Sequence, residues 1–173
     1  MAELDRATHL HPRPPVVVAT ALIVPQGLVE RLGGAAVPAV LPHARYTAEV
    51  DRRAVAAVVA AERAVGRGPQ VMPHNNPGFD IRSRTPDGHW VFIEVKGRIV
   101  GAKDFQVTRT EVLTGKNAER YRLALVAVHP DGPEHDEVRY LTDPFGGVEF
   151  GDLKVTSITP SWRESWERGG PPR

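Results

Sequence analysis

The feature that most constrains the fold of this 173-residue chain is an almost entirely apolar run of eight residues, Tyr121–Val128 (YRLALVAV). A strand with one face in solvent carries polar residues at every second position, because successive side chains point to opposite faces. A continuous apolar run instead indicates a strand that is covered on both faces. The run therefore predicts a central strand in an α/β protein.

The other predicted elements fit that architecture. A helix is predicted over residues 49–65, with Thr47 as its N-cap and Gly66 after its end. Thr108 and Glu111 have the spacing of a capping box, which opens a second helix that runs to residue 117. Strands are predicted at residues 70–72, 80–84, 89–96, 104–107 and 137–141, and a short helix around Trp162 and Trp166.

The order of these elements is helix, three strands, helix, strand, which predicts an α/β sandwich with a mixed sheet. The hairpin is expected to be antiparallel and the last core strand to be reached by a helical crossover. We expect an N-terminal extension or linker over residues 1–45, a core domain over 46–145 and a tail over 146–173. The extension contains a β-branched run at residues 16–24 that predicts a strand, followed by a short helix at 26–32.

Composition excludes several classes of function. The chain has no cysteine, which rules out disulfides, thiolate zinc sites and cysteine nucleophiles. Its net charge is +1, so nucleic acid could bind only through a local basic face. No segment approaches the roughly 20 apolar residues of a spanning helix, and the first residues lack the apolar core of a signal peptide. A cytoplasmic protein without membrane contact is the expectation.

A candidate catalytic centre lies in the predicted hairpin. Asp80 and Glu94 are 14 positions apart, enough for a strand, a tight turn and a returning strand. Glu94 and Lys96 share a strand face, since residues two apart point the same way. Two carboxylates and the carbonyl of Val95 would suit Mg²⁺, or Mn²⁺ in its place, and Lys96 would add a positive charge beside a scissile phosphate.

The residues alone leave a second interpretation open, in which Asp80 is a turn residue and Glu94 and Lys96 form a charge pair on a solvated hairpin. Glu62 is also ambiguous. It falls on the apolar stripe of the first helix, either as a functional carboxylate or as a side chain at the edge of the stripe.

The segments HNNPGFDIRS and HWVFIEVKGR resemble the protein NO VEIN C-terminal domain family. That family is similar to the Mrr-like branch of the PD-(D/E)xK restriction-endonuclease-like superfamily. The resemblance covers residues 46–141 and implies an αβββαβ core. By position, Asp80, Glu94 and Lys96 match the catalytic triplet of the superfamily, and Glu62 matches the acidic residue that many members carry on the first helix.

The resemblance implies a Mg²⁺-dependent endonuclease that acts on nucleic acid, with DNA favoured over RNA. It also implies an association with a helicase or ATPase, in the same chain or complex, in a restriction or anti-phage system. The rival hypothesis is a nuclease-fold module that no longer cuts and binds nucleic acid or a partner protein. Nothing in the sequence fixes the oligomeric state. Many relatives have an asparagine where this chain has Thr110, and for Glu111 a capping role is expected in preference to an active-site one.

Basic residues around the second helix are candidates for nucleic-acid contact. The set is Arg98, Lys103, Arg109 and Lys116, with Arg120 as a further member. Such side chains would contact phosphates and position a nucleic acid without reading its sequence. Arg82 and Arg84 share a strand face with Asp80 and could form ion pairs with it instead.

Overall fold

The structure is a computed structural model that describes residues 42–152 and 154–172. Residues Pro42–Arg173 form one compact unit. The strand predicted at residues 16–24 and the helix predicted at 26–32 lie outside the described residues. Within the described residues, no helix has the length and apolar character needed to span a membrane.

The observed elements follow the predicted order. They are α1 (Pro42–Ala64), β1 (Gly68–Val71), β2 (Ile81–Arg84), β3 (Trp90–Ile99), β4 (Val107–Thr108), α2 (Arg109–Asn117), β5 (Tyr121–Val128), a 3₁₀ turn (Pro133–His135), β6 (Glu137–Thr142), β7 (Ser157–Ile158) and α3 (Trp162–Arg168). The mixed α/β class and the αβββαβ order are confirmed.

Five strands form the main sheet, in the order β1-β2-β3-β5-β6. β3 and β5 are parallel, and the other neighbouring pairs are antiparallel. The parallel pair is connected through α2, as the predicted helical crossover requires. Six of the eight residues of β5 are buried, which confirms a strand covered on both faces.

Helices cover both faces of this sheet. On one face, α1 contributes Val50, Ala54 and Val58 to a core with Ile93 and Val126. On the other face lies a second core, which includes Phe105, Val112, Leu123, Leu125 and Trp162. Alternate residues of β3 and β5 therefore enter different cores, and this decides which side chains of β3 can reach the site.

The start of α1 was predicted wrongly. The helix begins at Pro42, so Thr47 lies inside it and is not the N-cap. Proline suits the first turn of a helix, where its missing N–H has no intrahelical partner to lose. As a consequence Asp51 lies in the middle of the helix and not in its first turn.

The strand predicted at residues 104–107 is also corrected. Only Val107 and Thr108 form strand β4, and it pairs with β7 in a separate two-stranded sheet. The C-terminal segment thus folds back along the region before α2. Trp162 of α3 packs edge-on against Phe105, with ring centroids 5.8 Å apart.

Candidate active site

The candidate site lies where β3 continues beyond its neighbour β2. The β2–β3 ladder pairs Ile81–Arg84 with residues 90–93 and goes no further. β3 itself runs on to Ile99 and stays paired with β5 on its other side. Residues 94–99 therefore have a strand edge that β2 leaves open.

Asp80 occupies the start of this open edge. Its backbone N–H donates to the carbonyl of Ile93 at 2.9 Å, and its Oδ2 accepts the N–H of Val95 at 2.8 Å. The carboxylate therefore replaces the next bond of the strand ladder. Because the N–H and C=O of one strand residue point to the same side, the carbonyl of Val95 faces this edge too.

The loop before Asp80 is held in place by a hydrogen bond from Tyr121 and by close packing against α2. The carbonyl of Gly78 accepts a hydrogen bond from the Tyr121 hydroxyl at 2.8 Å. Gly78 has φ +90°, and a Cβ built on it would lie 2.7 Å from the Cβ of Thr114. A glycine is therefore required twice, by the backbone conformation and by the close approach of α2.

Lys96 lies between two carboxylates. Its Nζ is 2.7 Å from Oε1 of Glu94 and 2.8 Å from Oε2 of Glu111. The same Glu111 completes the predicted capping box of α2, because its carboxylate accepts the N–H of Thr108 at 3.0 Å. The capping role of Glu111 is confirmed, and its carboxylate also contacts Lys96, so the active-site role that was the second interpretation stays a prediction.

The electrostatics of the site are dominated by burial. Burial raises the pKa of Glu94 to about 8; Lys96 opposes this shift, while Asp80 and Glu111 add to it. Burial also raises the pKa of Asp80, and the hydrogen bond from Val95 partly offsets this. Burial alone would lower the pKa of Lys96, but Glu94 and Glu111 raise it above its usual value. The ammonium group is therefore held in its charged form.

These groups line a pocket of about 500 Å³ between α1 and the open edge of β3. Asp80, Glu94, Val95, Lys96 and Arg98 line it, together with Asp51, Arg52, His74, Gln106 and Thr108 and small or apolar residues of α1 and β3. The structure thus brings together all three residues of the predicted triplet, and Val95 with them.

Asp51 is a site residue that the sequence interpretation missed. It is exposed on α1, lines the pocket and adds to the upward shift in the pKa of Asp80. Asp51 and Glu62 are eleven residues apart, which brings them within about 20° of each other around a helix. The predicted helix over residues 49–65 already contained Asp51, so the sequence indicated its direction around the helix but not the packing that brings it to the pocket.

Glu62 does not line this pocket. Its side chain is fully buried, and its carboxylate accepts from Nη1 of Arg67 at 3.1 Å and 3.4 Å. A buried carboxylate needs such a partner, because an unpaired charge in the interior is costly. The ion pair gives Glu62 a structural role, and its catalytic role stays a prediction.

The donor atoms of the pocket fit a hard divalent cation. The N–H of Val95 donates to one oxygen of Asp80, and Nζ of Lys96 donates to one oxygen of Glu94. The second oxygen of each carboxylate is therefore available. Across residues 42–152 and 154–172, no three Asp, Glu, His or Cys side chains are grouped closely enough to hold a metal ion. Mg²⁺ commonly uses one or two carboxylates and completes its coordination with waters and substrate phosphates, so Asp80 and Glu94 are the carboxylates of the pocket that could hold it.

The four basic residues predicted to contact nucleic acid lie in different settings. Arg98 lines the pocket, and Lys103 is exposed on the loop after β3. Arg109 donates to the carbonyls of Asp152 and Val155 at 3.0 Å and 3.3 Å. Lys116 donates to the carbonyl of Val148 at 2.6 Å. The last two side chains therefore hold Val148, Asp152 and Val155 against α2.

Arg82 and Arg84 do not pair with Asp80 in the described part of the chain. Arg82 donates from Nε to Gln70 at 2.8 Å, and its guanidinium lies 4.8 Å from the ring centroid of Trp90. The guanidinium of Arg84 lies 5.9 Å from the same ring. Both arginines are exposed, and Trp90 takes the place of the predicted carboxylate partner.

Comparison with known proteins places the chain in a family. No curated protein and no solved structure gives a significant match. The family model described as "Protein NO VEIN, C-terminal" matches residues 50–141, which is more than half of the chain. The match covers most of α1, the hairpin with Asp80, Glu94 and Lys96, the helix α2 and almost all of the sheet. The chain belongs to the protein NO VEIN C-terminal domain family.

Proposed function

We propose that this chain is a Mg²⁺-dependent nuclease domain that hydrolyses phosphodiester bonds in DNA. The observation that carries the proposal is the convergence of Asp80, Glu94 and Lys96 on one pocket at an open strand edge. A cation bound by Asp80, Glu94 and the carbonyl of Val95 would polarise the scissile phosphate and lower the pKa of a bound water.

The side chains of the chain itself have distinct roles in this proposal. Asp80 is fixed by the N–H of Val95 and presents its other oxygen to the pocket. Lys96 stabilises the negative charge that develops on the phosphoryl oxygens. Glu111 is a positioning residue, since its carboxylate holds the Lys96 ammonium together with that of Glu94.

Three further side chains, two from α1 and one from β3, complete the proposed site. Asp51 is the carboxylate of that helix which lines the pocket, and we assign it the supporting role that the family resemblance implies for Glu62. Arg52 and Arg98 line the pocket, and we assign their positive charges to the phosphates that flank the scissile bond. The assignment to a restriction or anti-phage system with a helicase or ATPase rests on the family resemblance to the Mrr-like PD-(D/E)xK branch.

The test is nicking of supercoiled plasmid by the full chain in Mg²⁺ or Mn²⁺. Asp80→Ala and Lys96→Ala should abolish nicking, because each removes a group that touches the cation or the phosphate. Lys154→Ala is the matched control, since it removes an exposed lysine outside the pocket. Nicking that persists in both Asp80→Ala and Lys96→Ala would refute the proposed site.

One observation favours a second candidate function, a module that binds nucleic acid or a partner protein without cutting. Nζ of Lys96 lies within hydrogen-bonding distance of both Glu94 and Glu111, so the ammonium and the carboxylates neutralise one another without a metal cation. Folded protein that binds DNA equally well with Glu94→Ala, and that cuts in neither Mg²⁺ nor Mn²⁺, would select this function.

A further inference from the structure

A basic sheet surface lies on the same face of the sheet as Glu94 and Lys96 but outside the pocket. We define the arginine–tryptophan surface as Arg82 and Arg84 of β2, Trp90 of β3 and Gln70 of β1. Gln70 pairs with Arg82 and Trp90 pairs with Arg84 in the strand register, so these side chains share one face. Phe92 and then Glu94 follow Trp90 along that face of β3.

The two guanidinium groups of this surface are held in place but not neutralised. Trp90 lies under both, at 4.8 Å from Arg82 and 5.9 Å from Arg84, and Gln70 accepts from Nε of Arg82 at 2.8 Å. Within the described residues, neither arginine has a carboxylate within ion-pair distance. The acid of the adjoining turn, Asp87, lies 3.5 Å from His89 instead.

This arrangement is suited to phosphate groups. A guanidinium stacked on an aromatic ring keeps its edge N–H groups free, and these match the oxygens of a phosphate in a bidentate geometry. Stacking also lowers the conformational freedom that a flexible arginine would lose on binding. Arg109 and Lys116 are already bound to backbone carbonyls, whereas Arg82 and Arg84 are exposed.

We propose that the arginine–tryptophan surface binds the phosphodiester backbone of duplex DNA and leads it to the pocket. The inference rests on the proposed function in that the pocket acts on the same DNA. Trp90 and Glu94 are four residues apart, about 13 Å along a strand. Phosphates of one DNA strand follow one another every 3.4 Å of helix axis, so a duplex whose axis lies along β3 would place about four phosphate steps between the two.

A duplex fits better than a single strand for a physical reason. Proteins that bind single strands stack unpaired bases on exposed aromatic rings. The ring of Trp90 is already covered by guanidinium groups, so it does not offer a free platform for a base. Contact with the backbone of a duplex needs only the charged edges.

The test is the salt dependence of binding to a fluorescent duplex, measured by anisotropy with the full chain in EDTA. The double variant Arg82→Ala/Arg84→Ala should bind more weakly, and its log–log salt slope should be shallower by about 1.8, since each lost phosphate contact contributes about 0.9. The matched control is Arg63→Ala/Arg163→Ala, which removes two exposed arginines from α1 and α3 and should leave the slope at the wild-type value.

A second variant tests whether the orientation of the two guanidinium groups contributes to binding in addition to their charge. Trp90→Leu keeps the net charge but removes the ring beneath both guanidinium groups, so we expect affinity to fall roughly two- to five-fold. A wild-type slope in Arg82→Ala/Arg84→Ala, or an equal loss in the control pair, would overturn the proposal. Tighter binding of a single strand with the same arginine dependence would overturn it as well.

Failure of this inference can be told apart from failure of the proposed nuclease. Binding in EDTA does not require cleavage, so a chain that binds through the two arginines but never nicks plasmid would refute only the nuclease. A chain that nicks plasmid while Arg82→Ala/Arg84→Ala binds like the wild type would refute only the surface.

Discussion

Replacement of Glu94 by glutamine tests the electrostatics of the pocket without any assumption about a substrate. Burial raises the pKa of Glu94 from its usual 4.5 to about 8 in the folded chain. Between these values the folded state binds one more proton than the unfolded state. The free energy of unfolding should therefore fall as pH rises from 4.5 to 8, and level off above the higher value.

The magnitude follows from that shift. One pH unit corresponds to about 1.4 kcal/mol per proton, so the contribution of Glu94 amounts to a few kcal/mol and at most roughly 5 kcal/mol across the window. Asp80 changes the pH dependence in the same direction, because burial raises its pKa as well. Glu94→Gln stays neutral at every pH, so the difference in unfolding free energy between this variant and the wild type should grow with pH.

The assay is urea unfolding at a series of pH values from 5 to 8.5 in EDTA, followed by tryptophan fluorescence. Glu149→Gln is the control, because Glu149 is exposed and should leave the pH dependence unchanged. Saturating Mg²⁺ should flatten the decline in the wild type, since a bound cation favours the ionised carboxylate. The reasoning is refuted if the wild type and Glu94→Gln show the same change in stability with pH.

Two further predictions concern the residues around the triplet. Glu111→Gln keeps the side-chain acceptor of the capping box but removes the negative charge that contacts Lys96, so nicking should fall while stability changes little. Glu111→Ala should in addition lower the free energy of unfolding in urea by about 0.5–2 kcal/mol, as expected for a lost helix cap. Gly97→Ala should destabilise the fold by about 1–3 kcal/mol in the same assay, because the new Cβ would lie 2.6 Å from the Cβ of Ala54. A Gly97→Ala protein with wild-type stability would contradict this packing of α1 on β3.

The parts of the site that could be predicted from sequence are those fixed by local structure. Asp80 and Glu94 belong to one hairpin with a short turn, so their spacing alone placed them side by side. The capping box of Glu111 was equally local, because it involves residues three apart. In both cases the chain between the interacting groups is too short to allow many alternatives.

The parts that could not be predicted depend on how distant elements pack. Asp51 reaches the pocket because α1 crosses the open end of β3, and no sequence pattern specifies that crossing. The contact of Glu111 with Lys96 joins α2 to β3 in the same way. The hydrogen bonds of Arg109 and Lys116 to the carbonyls of Val148, Asp152 and Val155 depend on such packing too, and nothing in the sequence indicated them.

The open edge of β3 has a consequence for solubility. An unpaired strand edge is a template on which a strand of another molecule can add, and proteins protect such edges with charge. Here Asp80 already takes the first free N–H, and Lys96 and Arg98 place charged side chains on the strand beyond it. We expect these charges to protect against edge-to-edge aggregation, so variants that neutralise the pocket should be examined for self-association before a loss of activity is assigned to chemistry.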